Sequence, residues 1–173
     1  MALFKYEEPI TDKHLTTASK AWATFRSNTP AHWHSLLCED TTALPFLRDS
    51  IVRSLEEYPS DSNGLSRTAH QALTIISSGE NRPEQIFIRN QEMEGQIFLG
   101  DSSFWQILHE FLESDPPLIE LPEGQTLTLP SNQDQILTIT SAGKAVLSGE
   151  RDWLYITVLN QWIGGVHLSP DNS

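Results

Sequence analysis

Residues 32–38 read HWHSLLC, which places His32, His34 and the chain's single cysteine, Cys38, close together. His34 and Cys38 stand one helical turn apart, a spacing that presents two ligands to a soft divalent ion if further donors arrive from elsewhere. The competing reading sends Trp33, Leu36 and Leu37 into a core and leaves the histidines at its rim. No second ligand pair occurs, so the core reading is preferred and His32, His34 and Cys38 stay weak metal candidates. His109 and Glu110 are neighbours in LHEF, but the second His of the zinc-protease pattern is absent. No glycine run is followed by Lys and Ser or Thr, so there is no phosphate loop. Cys38 has no nucleophile signature around it and reads as a buried structural thiol. No cofactor is implied and the balance falls against an enzyme; a metal-dependent hydrolase using His32, His34 or His109 is the second alternative.

Residues that could meet a partner are better represented. Trp105 and His109 share a strongly amphipathic segment. WIGGVHL near the C-terminus brings together Trp162, Gly164, Gly165 and His167. Its two glycines permit positive φ or close backbone approach, and Trp162 with His167 could line an interface. The plainer reading tucks this tail onto the core through Trp162, Val166 and Leu168.

The elements that must position these residues are mostly helices. From Thr11, the 3 and 4 spacing of Leu15, Ala18, Ala21, Trp22 and Phe25 predicts an amphipathic helix. Thr29 and Pro30 open a short second helix. Pro45 opens a third, with Leu44, Leu47, Ile51, Val52 and Leu55 as its stripe before Pro59. Asn63 and Gly64 lie in a polar cluster that reads as a turn or short hinge. Ser66 then caps a fourth helix bearing Leu65, Ala69, Ala72, Leu73 and Ile76, ended by Gly79. A fifth runs from Asn81 and Pro83 towards Gly95. A sixth has Asp101 as its cap and carries Phe104, Trp105, Leu108, Phe111 and Leu112. After Pro117 the period becomes extended, and LIEL, QTLTL and QILTIT predict a small antiparallel sheet or hairpin. Thr140 or Ser141 caps a last helix ended by Gly149. The segment 153–163 fits helix and strand about equally.

Charge narrows the partners. Twenty-three acids against 11 Lys and Arg give a net of −12. Between Ser66 and Glu150 twelve acids face four bases, a local net of −8. The sixth segment holds the place of a recognition helix yet has no Lys or Arg, whereas such helices need cations for phosphates and base edges. Nucleic acid is disfavoured. The absence of an uncharged apolar run of about 18 residues argues against a membrane span. The N-terminus lacks signal-peptide features, and a lone thiol fits a reducing compartment, so a cytoplasmic location is expected.

The blocks LPFLRDSIVRSLEEYPSDSNGLSRTAHQAL, FLGDSSFW and WIGGVHL together resemble a bacterial domain family of unknown function. The resemblance spans Trp22 to Leu168 and implies a shared fold, with no mechanism. That family carries a Glu where this chain has Ala69, a residue that would complete a capping box with Ser66. A looser resemblance is to winged-helix regulators: Leu137, Thr138, Thr140, Gly143 and Leu147 match the pattern that closes a wing and enters a packing helix. This signature also occurs in winged helices that never touch DNA.

The expected architecture is therefore mostly helical α+β. An N-terminal helical unit, residues 1–62, packs on a winged-helix-like unit with a C-terminal tail, residues 63–173. The expected function is a non-catalytic protein-interaction or regulatory domain. Its partners are another protein, an N-terminal domain, or a second copy in a homodimer. A DNA-binding transcriptional regulator is the alternative.

Overall fold

The structure, a computed structural model, describes residues 9–130 and 135–169. Over these residues the fold is mostly helical α+β. In chain order the elements are α1 (Asp12–Phe25), α2 (Ala31–Leu37), α3 (Leu47–Leu55), α4 (Arg67–Ser77), α5 (Pro83–Glu92), α6 (Asp101–Glu113), β1 (Ile119–Glu120), β2 (Thr138–Ile139) and α7 (Ser141–Leu147). A single 3₁₀ turn at Trp153–Tyr155 follows, then β3 (Gln161–Ile163) and β4 (Val166–Leu168). β1 pairs antiparallel with β2 through Ile119 opposite Ile139, and β3 pairs antiparallel with β4 through Ile163 opposite Val166.

Two compact units emerge: Met1–Leu55 with Asn160–Ser173, and Glu56–Leu159. This differs from a division at 62/63 on two points, and each has a local cause. The polar cluster around Asn63 is a built corner of the second unit. Asn63 is 3% exposed; its Oδ1 accepts from the Ser60 hydroxyl at 2.9 Å and the Leu65 amide at 3.2 Å, and its Nδ2 donates to the Val146 carbonyl at 3.1 Å. The tail, in turn, joins the first unit, because the Gly165 amide donates to the Phe25 carbonyl at 2.7 Å.

The second unit has a large core. α4 contributes Ala72, Leu73 and Ile76, α5 Ile86, and α6 Phe104, Leu108 and Phe111. Leu118, Ile119, Leu137, Val146 and Trp153 close it. Phe111 and Trp153 meet edge to face, ring centroids 5.6 Å apart, a geometry that suits the aromatic quadrupole. The first turn of α4 has Ala at position 69, and its amides find acceptors elsewhere. Ser66 Oγ accepts from the Ala69 amide at 3.2 Å, the Glu57 carboxylate from the Thr68 amide at 3.3 Å, and the Glu56 carbonyl from the Arg67 amide at 2.8 Å. The orphan donors of a helix start are thus satisfied from an upstream segment.

Thr140 caps α7 as expected, its Oγ1 accepting from the Gly143 amide at 3.0 Å. A Cβ on Gly143 would run into the Leu118 carbonyl and the Ile139 side chain, so glycine there lets the start of α7 lie close to the Leu118 backbone. One strand expectation needs correcting. QTLTL forms no strand, because its carbonyls are taken by side chains: Thr126 O accepts from Gln135 Nε2, and Thr128 O from Trp105 Nε1 at 2.7 Å.

Asn63→Ala removes the three side-chain bonds and leaves the buried Val146 carbonyl without that donor. Urea unfolding should show a loss of about 2–3 kcal/mol; a change below about 0.5 kcal/mol would mean that the corner does not hold the second unit.

Candidate interaction surface

The first unit is assembled around α1, whose start is set by Thr11: its amide donates to His14 Nδ1 at 3.1 Å. The direction in which α1 then faces is unexpected. His14, Thr17, Ala21 and Thr24 form the sheltered stripe, with Thr17 fully buried. Ala21 packs against the core of Trp33, Leu36 and Ile51 supplied by α2 and α3. The Thr17 hydroxyl donates to the Lys13 carbonyl at 2.8 Å, so its polar atom is satisfied within the helix and its methyl is free to pack.

The apolar stripe lies one residue round the helix, about 100° away, and points outward. Leu15 and Trp22 are each 58% exposed and Phe25 is 43% exposed. Periodicity alone assigns these residues to a core; the structure corrects that assignment, because small and β-branched side chains at 17, 21 and 24 allow the closer approach to α2. The outward rings are ordered. Trp22 and Phe25 stack with centroids 5.7 Å apart and planes 17° from parallel, and Phe25 also meets Trp33 edge-on at 6.3 Å. The Arg26 guanidinium sits 5.8 Å from the Trp22 centroid, within cation–π range.

The glycine pair of WIGGVHL secures the far end of α1. Gly164 has φ +59°, and a Cβ there would strike the Phe25 carbonyl and crowd its ring; on Gly165 it would strike the Arg26 carbonyl. The β3–β4 turn therefore seats directly on the C-terminal carbonyls of α1, one of which takes the Gly165 amide. This seats the hairpin beside Phe25. Trp162, 67% exposed, stacks on His167 across the strands at 4.5 Å and 10°, and His167 Nε2 lies 2.9 Å from Asn160 Oδ1. Gly164 and Gly165 thus serve backbone approach, while Trp162 and His167 are the part of the tail on the surface.

The other sequence candidates scatter. His32, His34 and Cys38 are exposed while Trp33 and Leu36 between them are buried, which corrects the expectation of a buried thiol: Cys38 follows the last turn of α2, on the side away from its core. Among the described residues, no group of three or more His, Cys, Asp or Glu is placed to hold a metal ion. Trp105 is a correction: at 4% exposure, with its indole N–H bonded to Thr128, it anchors the core and is withdrawn from any partner. His109 is half-buried on α6. Beside it, burial pushes the Glu110 carboxyl above its ordinary value and the Glu113 charge adds to this, against the hydrogen bond from Gln106.

Charge divides sharply. Sixteen of the 23 acids and five of the 11 Lys and Arg fall within Glu56–Leu159, a net of −11, leaving −1 for the rest of the chain. Around α1, Lys13 pairs with Asp40 at 2.7 Å and Lys20 with Glu39. The Lys13 hydrogen bond, helped by Thr42, holds the Asp40 carboxyl well below the usual carboxylate range. These pairs are solvent-exposed and contribute little; they locate the cations on a side of α1 already occupied.

No family model, curated protein or solved structure matches the chain. The surface is therefore read on its own geometry.

Two outcomes follow. Gly165→Ala should displace the hairpin and cost about 2 kcal/mol or more, seen as faster amide exchange across β3–β4; unchanged exchange would show that the turn does not need the close approach. For Glu110, a folded-state pKa raised by burial means that its ionised form is penalised above that pKa, and the penalty fades as pH falls to the unfolded value. Glu110→Gln should therefore raise the urea midpoint at pH 7, with the gain gone below about pH 4. A gain that persists at low pH would contradict this.

Proposed function

We propose that this chain is a non-catalytic protein-interaction or regulatory domain whose contact surface is the outward stripe of α1, with Trp162 beside it. The observation that carries this is the inverted packing of α1. Full burial of a large apolar side chain is worth about 1.5–3 kcal/mol, and Leu15, Trp22 and Phe25 leave about half of their surface in water. Among its described residues the first unit buries four large apolar side chains, Trp33, Leu36, Ile51 and Val166, and exposes three along α1 alone. A contiguous ordered apolar patch of this kind marks a contact site.

The same reading takes Glu56–Leu159 as a winged-helix-type scaffold. The succession α4, α5, α6, β1, β2, α7, with Thr140 capping the closing helix, supports it. Nucleic acid is disfavoured as partner: α6 turns Phe104, Trp105, Leu108 and Phe111 inward and leaves Asp101, Gln106 and Glu113 exposed, within a unit of net −11. Such a face repels phosphate and offers few cations for counterion release. No helix among the described residues is long and apolar enough to cross a membrane. The lone Cys38 fits a cytoplasmic setting.

A photo-crosslinking amino acid at position 22 tests the reading, with the same probe at Glu123 in the second unit as control. Protein adducts at 22 that are missing at 123 are expected. Equal labelling at both, or none at 22, would sink the assignment of this surface.

A further inference from the structure

The outward stripe of α1 has a pattern that is complementary to itself. Leu15, Ala18, Trp22 and Phe25 follow a 3-4-3 spacing, the seam spacing of helices that pack side by side along their length. In an antiparallel pair, positions with the same sum face each other across the seam. Position 15 then meets 25, and 18 meets 22. Leu15 lies opposite Phe25 and Trp22 opposite Ala18, so at the centre the largest side chain faces the smallest, and every layer is repeated by symmetry.

The flanking positions agree. Along one edge of the stripe stand Asp12, Ser19 and Arg26. Antiparallel packing brings equivalent edges together, which sets Asp12 against Arg26 twice and Ser19 against its own copy. A parallel pair would leave Asp12 and Arg26 unmatched. Arg26 already lies over Trp22, at the rim of the seam, and the β3–β4 turn keeps the last turn of α1 ordered. Net charge points the same way. Two chains that met through Glu56–Leu159 would oppose −11 with −11, whereas the remainder of the chain carries −1 and meets its copy without that cost.

We propose that the α1 stripe seats a second copy of this chain, the two α1 helices packing antiparallel about a twofold axis with Leu15 against Phe25, Ala18 against Trp22, and Asp12 against Arg26. This rests on the reading of the stripe as the contact surface and names its occupant. The interface is isologous, so it closes at two copies.

Sedimentation equilibrium on the full chain tests it. The unsubstituted chain should run as a dimer, and Trp22→Glu as a monomer with unchanged circular dichroism. Asp12→Arg and Arg26→Asp should each weaken the dimer about tenfold, since each replaces two attractions by two repulsions. The double substitution Asp12→Arg with Arg26→Asp should return the affinity to within about threefold. Because Asp12 and Arg26 are exposed, the swap remains informative if Trp22→Glu fails to fold. A monomer at all concentrations, a dimer indifferent to Trp22→Glu, or a double swap no better than the singles would each overturn self-pairing. If the chain is monomeric while the probe at position 22 still captures a different protein, the contact surface stands and the second copy falls. If it captures nothing, both fall.

Discussion

The rotation of α1 about its own axis is the constraint on which the functional account depends. A helix that packs through Thr17, Ala21 and Thr24 can approach α2 closely, because those side chains are short and the Thr17 hydroxyl is satisfied on its own backbone. That approach fixes the helix face, and Leu15, Trp22 and Phe25 are carried outward as a consequence. The glycine turn completes the arrangement at the other end. Only residues without a Cβ let β3–β4 reach the carbonyls of Phe25 and Arg26, so the hairpin and α1 hold one another in place, and Trp162 stands on the same unit.

In the second unit apolar side chains from α4, α5, α6 and α7 close on one another, Ser66 and Thr140 cap α4 and α7, and both side-chain polar atoms of the buried Asn63 are bonded. Charge is concentrated there, and Arg67 stands 2.6 Å from Glu56 and 3.3 Å from Glu94. The first unit, by contrast, is near neutral and has the smaller core.

Most of the helices were legible because each has its own local signals. Ser66, Thr140, Pro83 and the apolar stripes of α4 and α6 act within a few residues, and the helices lie where those signals put them. What a stripe cannot say is which way it faces. Leu15, Ala18, Trp22 and Phe25 look the same whether they meet their own core or another molecule; the distinguishing sign was the second stripe of Thr17, Ala21 and Thr24, small enough to pack. Trp105 misled for the converse reason, since its partner is the Thr128 carbonyl, a tertiary contact that no spacing encodes. WIGGVHL was legible as a special backbone site, but its seat on α1 required the fold. QTLTL had strand composition, yet side-chain donors reached its carbonyls first.

The central claim is that a second copy covers the α1 stripe in antiparallel register. Isotope-filtered NMR on an equimolar mixture of ¹³C-labelled and unlabelled chains measures this directly. The account predicts intermolecular NOEs from the Leu15 methyls to the Phe25 ring and from the Ala18 methyl to the Trp22 indole. Intermolecular NOEs joining Leu15 to Leu15 would contradict the antiparallel register, and their complete absence from the α1 stripe would contradict the pairing itself.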